Sequence, residues 1–162
     1  METTITATGR RASFEELYAT HAPDARRIAY LLTGDRHKAE DITQEAFIRV
    51  LGRFGELRKF DAFRTYLMRT VVNLTKDHFR RRSLERHHTR TQLPAPTTMP
   101  ERDDDLFDGL SRLPERQRAA LVLRYCEDLS AHQTAEILQT TEKAVKSLVT
   151  RGLAALREEI ER

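Results

Sequence analysis

The chain of 162 residues has 28 basic and 25 acidic residues, a formal net charge of +3, and 33% charged residues against about 25% in an average protein. Glycine and proline together make up only about 7% of it, where about 12% is usual, so the composition favours an all-α protein. We expect no transmembrane helix, because no apolar run approaches about 18 residues, and no secretory signal, because residues 1–11 are polar and have no apolar core. The usual nucleotide-binding, zinc-protease and hydrolase motifs are missing, so we expect no catalysis, cofactor or metal. The single cysteine fits a reducing cytoplasm.

Two helices are predicted in the first third of the chain, after a polar segment, residues 1–12, that we expect to be disordered. Apolar residues at helical spacing predict a helix from about Ser13 to Leu32, with a kink or break at Pro23. A turn follows, and Asp35 is suited to cap the next helix, predicted over 36–54. Its acidic residues lie off the apolar stripe, so they form either a protein-docking patch or an ordinary solvated face.

A third long helix is predicted from a cap at Asp61 to Arg82, after a basic loop. One side of this helix carries basic residues and an asparagine at spacings of four, three and four residues: Arg69, Asn73, Lys76 and Arg80, with Asp77 beside them. Basic side chains on one helix face bind nucleic-acid phosphates, and asparagine can read a base edge. An ordinary solvated face would show the same pattern, so both interpretations stay open.

The C-terminal part of the chain reads as a second small helical lobe, 105–162, after a proline-containing segment, 83–104, that we expect to be a mobile linker. Ser130 and Gln133 form a predicted capping box at the start of a short helix, which a tight turn joins to a last helix from Glu142. Cys126 lies on the apolar stripe of the preceding helix, which predicts a buried thiol. The last helix is expected to bury Val145, Leu148, Val149, Leu153 and Leu156.

A short helix, a tight turn and a helix with a basic, hydroxyl-bearing face are typical of a helix-turn-helix. Lysine and arginine on that face can contact phosphates or guanine edges, while serine and threonine can hydrogen-bond either; these residues are Lys143, Lys146, Ser147, Thr150 and Arg151. A helical hairpin with a solvated face is the plain alternative. Glycine is common in such turns, and Gln139 takes its place here.

In combination, these segments resemble the extracytoplasmic-function sigma factors of bacteria, closest to a short subgroup common in actinobacteria. Residues 29–47 (AYLLTGDRHKAEDITQEAF) resemble the segment of that family that docks on RNA polymerase. Residues 63–82 (FRTYLMRTVVNLTKDHFRRR) resemble its −10 recognition helix, and the stretch from Leu113 through the helix-turn-helix resembles its −35-binding domain. Tyr66 stands where the family often has tryptophan.

The resemblance implies a transcription initiation factor that binds core polymerase and reads promoter DNA. It assigns Asp41, Gln44 and Glu45 to the clamp coiled coil, and the C-terminal lobe to the flap. Promoter −10 contacts would come from Arg69, Asn73, Lys76, Asp77, Arg80 and Arg81. A DNA-melting loop that holds a flipped base would comprise Gly55, Arg58, Lys59, Phe60 and Asp61. Promoter −35 contacts would come from Glu142, Lys143, Lys146, Ser147, Thr150 and Arg151.

The implied organisation has two domains: residues 13–82 as the polymerase-docking, −10 and melting domain, and residues 105–162 as the −35 domain. An anti-sigma factor is a further candidate partner. We expect the chain itself not to insert into a membrane and to act in the cytoplasm. Two other functions remain for comparison. A helix-turn-helix regulator would act without being a polymerase subunit. A protein-interaction module would leave both basic faces unexplained.

Overall fold

The computed structural model describes residues 5–7, 10–12, 14–53, 61–88 and 104–162. Two three-residue strands, β1 (Ile5–Ala7) and β2 (Arg10–Ala12), pair antiparallel, with Ile5 opposite Ala12. This ribbon lies within the segment 1–12 that we expected to be disordered, and the β-branched Ile5 and Thr6 favour its extended backbone. Apart from short turns and the C-terminal residues, the rest of the described chain is helical, so the predicted all-α class is confirmed.

Three helices form the N-terminal lobe: α1 (Phe14–Thr33), α2 (Arg36–Gly52) and α3 (Asp61–His88). The turn between α1 and α2 follows the sequence prediction. Gly34 adopts the left-handed conformation, with φ of 74°, and the Asp35 carboxylate accepts a hydrogen bond from the amide of Lys38 at 3.1 Å. The apolar stripes of the three helices meet in a core that includes Leu17, Ile28, Phe47, Phe63 and Val71.

The helix limits differ from those predicted in three places. Pro23 neither breaks nor ends α1, because only one backbone donor is lost and the ring lies on the exposed side. Helix α2 ends at Gly52, and Phe54 lies outside the described residues. Helix α3 continues to His88, so the first six residues of the predicted linker are helical, as the good helix formers Leu84, Glu85 and Arg86 favour. Residues 89–103 of that linker lie outside the described residues.

The C-terminal lobe contains α4 (Asp104–Arg112), α5 (Glu115–Leu121), α6 (Ala131–Leu138) and α7 (Glu142–Ile160). Helix α5 continues as a wider π-helical turn, Val122–Cys126. The prediction that Cys126 is buried was wrong: the π turn rotates the chain, leaving Cys126 exposed and Glu127 buried.

The stripe predicted for α7 was partly wrong. Val145 is fully buried, whereas Leu153 is 42% exposed and Gly152 takes the inward position against Leu121. A glycine there lets α7 approach α5 closely, since a Cβ atom on Gly152 would lie 3.1 Å from the Leu121 side chain.

The two lobes share one hydrophobic core. Ala119, Val122, Leu123, Leu129 and Ile137 of the C-terminal lobe belong to the same buried cluster as the core residues of the N-terminal lobe. The cluster confined mainly to the C-terminal lobe is small, with Leu110, Leu113 and Leu121 as its buried members. Much of the apolar burial of the C-terminal lobe therefore comes from contact with the N-terminal lobe.

Candidate nucleic-acid interface

The basic face predicted on α3 is largely accessible. Asn73, Lys76, Arg80 and Arg81 are exposed, and Asp77 is half-buried. An Arg80 guanidinium nitrogen lies 3.6 Å from an Asp77 carboxylate oxygen, one helical turn away. The face therefore offers three cations and one amide to a ligand, together with a carboxylate that restrains one of the cations.

A cleft of about 430 Å³ separates this face of α3 from the end of α2. Its α3 side is lined by Tyr66, Thr70, Asn73, Lys76, Asp77 and Arg80. Arg49 and Arg53 line its α2 side and bring two more cations. Sequence reasoning missed these two arginines because Arg49 lies in a different helix and Arg53 is the residue that follows that helix. The cleft combines cations with an aromatic ring, the combination that single-stranded nucleic acid requires.

Arg69 does not join the other predicted −10 residues. Its Nη2 atom donates a hydrogen bond of 2.8 Å to the backbone oxygen of Glu136 in α6, and its guanidinium carbon lies 5.5 Å from the centre of the Tyr66 ring. The side chain is half-buried between the lobes. Its spacing of four residues from Asn73 places Arg69 on the same side of α3 as the other predicted −10 residues, but α6 covers that end of the face.

The predicted melting loop lies outside the described residues except for Asp61. Asp61 is the first residue of α3 rather than a cap before it. Nothing further is described of Gly55, Arg58, Lys59 and Phe60.

The helix-turn-helix predicted in the C-terminal lobe is formed by α6 and α7. The Ser130 hydroxyl accepts from the Gln133 amide at 3.0 Å, and the Gln133 side chain accepts from the Ser130 amide at 2.9 Å, which confirms the capping box. Gln139 is left-handed, with φ of 53°, in the position where glycine is common. The Thr141 hydroxyl then caps α7 through the amide of Ala144 at 3.1 Å.

All six predicted −35 residues of α7 are exposed: Glu142, Lys143, Lys146, Ser147, Thr150 and Arg151. Three of them have partners within the lobe. Glu142 lies 3.0 Å from Nδ1 of His132 in α6, and the Thr150 hydroxyl donates to the backbone oxygen of Lys146 at 2.9 Å. Arg151 Nε donates to the backbone oxygen of Ser147 at 3.4 Å. Lys143 and Lys146 lie in the first two turns of α7, the part of a recognition helix that enters the major groove.

The acidic face of α2 is also accessible. Asp41 and Gln44 are exposed, while Glu45 is half-buried and accepts a hydrogen bond from Arg49 at 2.8 Å. Ile48, one turn beyond Gln44, is 66% exposed. Sequence reasoning missed Ile48, although an isoleucine off the apolar stripe of an amphipathic helix is the signal that could have identified it. Acidic residues around an exposed isoleucine suit a basic protein partner.

Known proteins match both lobes. Residues 17–85 match the family Sigma-70 region 2, and residues 104–156 match Sigma-70, region 4. The chain is 35% identical over 160 residues to the RNA polymerase sigma-E factor of Streptomyces avermitilis, covering 96% of this chain and 89% of that protein. It is 36% identical over 168 residues to the ECF RNA polymerase sigma factor SigE of Mycolicibacterium smegmatis, covering 94% of this chain and 64% of that protein.

The chain belongs to the extracytoplasmic-function family of RNA polymerase sigma factors. The N-terminal lobe of this sigma factor corresponds to region 2 and the C-terminal lobe to region 4. Its fold is similar to that of the sigma factor RpoE in complex with the anti-sigma factor NepR from Bartonella quintana, with a TM-score of 0.77 at 21% identity. That match covers 91% of this chain and 96% of the other. CnrH, solved in complex with the cytosolic domain of CnrY, matches with a TM-score of 0.68 at 21% identity, covering 91% of this chain and 87% of that one.

None of the helices described for this sigma factor combines the length and the apolar character that a membrane span requires.

Proposed function

We propose that this sigma factor binds core RNA polymerase through the acidic face of α2 and directs it to promoters. Helix α3 reads the −10 element, and α7 reads the −35 element. The observation that carries this proposal is the pairing of two exposed basic faces with family matches to region 2 and region 4. We assign residues 13–82, extended by the rest of α3, to polymerase docking, −10 recognition and DNA melting. We assign residues 105–162 to −35 recognition.

The −35 element is read by the first turns of α7 in the major groove. Lys143 and Ser147 reach base edges, because their spacing of four residues places them on one face of the first turns of α7, the part of the helix that enters the groove. Lys146, Thr150 and Arg151 contact phosphates and fix the register. Glu142 accepts from a cytosine amino group once His132 releases it.

The −10 element is read by α3. Asn73 and Asp77 contact base edges, while Lys76, Arg80 and Arg81 contact phosphates. Arg69 joins them only when its hydrogen bond to α6 is broken. The loop residues Gly55, Arg58, Lys59 and Phe60, with Asp61, hold a base flipped from the non-template strand; extruding that base costs a few kcal/mol, which contacts in the pocket must offset.

Core polymerase binds the acidic face of α2 through its clamp coiled coil and binds region 4 through its flap. The charge of Asp41 and Glu45 complements a basic partner, and the exposed Ile48 supplies apolar area at the centre of the contact. The factor acts in the cytoplasm and has no catalysis of its own. An anti-sigma factor is a further partner that we propose, since the structurally similar sigma factor RpoE is solved in complex with the anti-sigma factor NepR.

Transcription from a randomised promoter library tests the division of promoter reading between the lobes. Lys143→Ala and Ser147→Ala should each cost about 1–3 kcal/mol and relax the preference at one −35 position. Asn73→Ala should change only the −10 preference. Arg157→Ala, an exposed cation in the last turns of α7, is the matched control and should leave both preferences unchanged. A −10 shift caused by the α7 variants would show that the two reading surfaces are wrongly assigned.

A second measurement tests polymerase binding and excludes the helix-turn-helix regulator. The chain should give promoter-specific transcription when it is mixed with core polymerase. A regulator that is not a polymerase subunit would not direct core polymerase to promoters in this mixture. Asp41→Lys should weaken the complex with core, because like charges at an interface cost several kcal/mol. Glu158→Lys, an exposed acid on α7, is the control. Equal affinity of both variants for core would contradict the assignment of α2.

A further inference from the structure

The contact between the lobes is centred on one buried carboxylate. The Glu127 side chain is 1% exposed, and its Oε1 atom accepts from Arg27 Nη2 at 2.6 Å and Arg27 Nε at 3.0 Å. Its Oε2 atom lies 3.4 Å from Arg64 Nη2. Glu127 belongs to region 4 and both arginines belong to region 2. The hydrogen bond to Glu127 raises the pKa of the Arg27 guanidinium.

Two more arginines cross the same interface. Arg118 of α5 donates to the backbone oxygen of Leu32 at the end of α1 at 2.8 Å, and Arg69 of α3 donates to Glu136 in α6. In each of these hydrogen bonds the donor and the acceptor lie in different lobes, so separation of the lobes breaks the bond. Separation also leaves the negative charge of Glu127 without its two arginine partners. These contacts therefore hold only while the lobes are docked.

The docked arrangement is incompatible with reading a promoter. A compact chain of this length has a radius of gyration of about 15 Å, and is therefore about 40 Å across. The −10 and −35 elements lie about 25 base pairs apart, about 85 Å along the double helix at about 3.4 Å per base pair. Arg69, one of the proposed −10 residues, is also occupied by α6. Both surfaces can act together only after the lobes separate.

We propose that this sigma factor closes on itself without any partner, that Glu127 is the latch, and that the closed form is autoinhibited. Closure follows from the contacts of this chain alone. The inhibitory consequence rests on the proposed function, because separation of the lobes is what promoter reading requires.

The latch is tested by thiol labelling in a Cys126→Ser background. Ile137→Cys places a thiol in α6 at a position that is buried in the shared core, so it reacts when the lobes part. Ala46→Cys places a thiol on α2 inside region 2, so it reacts only on unfolding. Glu127→Gln removes the charge with little change in shape and should raise labelling at position 137 on the order of 30-fold or more, with labelling at position 46 unchanged.

Two further variants keep the test decisive. Arg27→Gln combined with Arg64→Gln removes the half-exposed partners instead of the buried acid and should produce the same selective increase. Glu158→Gln, a charge change away from the interface, should leave both rates unchanged. Equal acceleration at positions 137 and 46 would show general destabilisation and overturn the latch, as would no acceleration at either. Rapid labelling at position 137 in the chain that keeps Glu127, Arg27 and Arg64 would overturn closure itself.

The inhibitory half of the proposal has a separate readout. Glu127→Gln should bind core polymerase more tightly by up to the same factor by which labelling at position 137 increases. Opening without a gain in affinity would overturn autoinhibition while leaving the latch in place. A wild-type chain that fails to bind polymerase in any state would instead overturn the proposed function, and the labelling result would stand.

Discussion

Substitution of Gly34 by alanine tests the local turn and the docking of the lobes at the same time. Gly34 ends α1 in the left-handed conformation, with φ of 74°, and a Cβ atom there would lie 2.9 Å from Cζ of Phe107 in α4. Phe107 stacks on Tyr30 of α1 with ring centres 5.4 Å apart and an angle of 14° between the rings. The new methyl group therefore meets a side chain of the other lobe.

Two terms contribute to the expected loss of stability. A residue with a Cβ atom in the left-handed conformation costs about 1–2 kcal/mol, and the reduced entropy of the unfolded chain offsets about 0.4–1 kcal/mol of this. Displacing the Phe107 ring removes stacking worth about 0.5–1.5 kcal/mol. We therefore expect Gly34→Ala to lower the free energy of unfolding by about 1–2.5 kcal/mol.

A double-mutant cycle separates these terms. Denaturant unfolding of Gly34→Ala, Phe107→Ala and the double variant should give a coupling of about 0.5–1.5 kcal/mol, because removing the ring removes the clash. Gly52→Ala is the control: a Cβ atom there has no neighbour within 4 Å, and the change should stabilise α2 by about 0.5–1 kcal/mol. If Gly34→Ala costs the same with and without Phe107, the ring does not pack against the turn in solution, and α4 is not docked on α1 there.

Three further predictions concern the helix-turn-helix and the core. Gln139→Gly should stabilise the chain by up to about 1 kcal/mol in denaturant unfolding, since glycine relieves the left-handed strain at an entropic cost; a loss of stability would contradict the turn geometry. Ser130→Ala should destabilise it by about 1 kcal/mol, measured in the same way, because the capping box is lost. Burial, and then the Arg64 guanidinium, lower the pKa of His21 in the folded state below its ordinary 6.5. As the pH falls, His21 is therefore protonated in the unfolded state before it is protonated in the folded state. The free energy of unfolding should therefore fall below about pH 6.5, and less steeply in His21→Gln; equal slopes would contradict the placement of His21.

Local signals predicted the parts of the fold that depend on neighbouring residues. The Asp35 cap, the Ser130–Gln133 capping box and the start of α7 at Glu142 are all confirmed, because each depends on hydrogen bonds between groups at most four residues apart. The exposure of the α7 face followed from the same helical periodicity, since Val145 on the opposite side is buried.

Features that depend on distant parts of the chain were missed. The π turn places Cys126 outward and Glu127 inward. The prediction assumed the 3.6-residue repeat of an α-helix, which does not hold across a π turn. Leu153 was expected inward because leucine is apolar, yet close packing of α7 on α5 requires the neighbouring Gly152 there instead. Arg69 was assigned by its position on α3, whereas its hydrogen-bond partner lies 67 residues away. The hydrogen-bond partners of Arg69 and Glu127 lie in the opposite lobe, so the contacts of these two side chains depend on docking of the lobes.

The size of the lobes explains why docking has this influence. A lobe of about 60 residues buries only about 60% of the surface of its unfolded chain, so each lobe alone is marginal. Separation of the lobes uncovers Ala119, Val122, Leu123, Leu129 and Ile137, and burying one valine, leucine or isoleucine contributes about 1.5–3 kcal/mol. Binding to polymerase must offset that cost before any affinity is observed. The apparent dissociation constant then equals the intrinsic one divided by the open fraction, so any change at Glu127 that shifts the lobe equilibrium shifts polymerase affinity by the same factor while the closed form dominates.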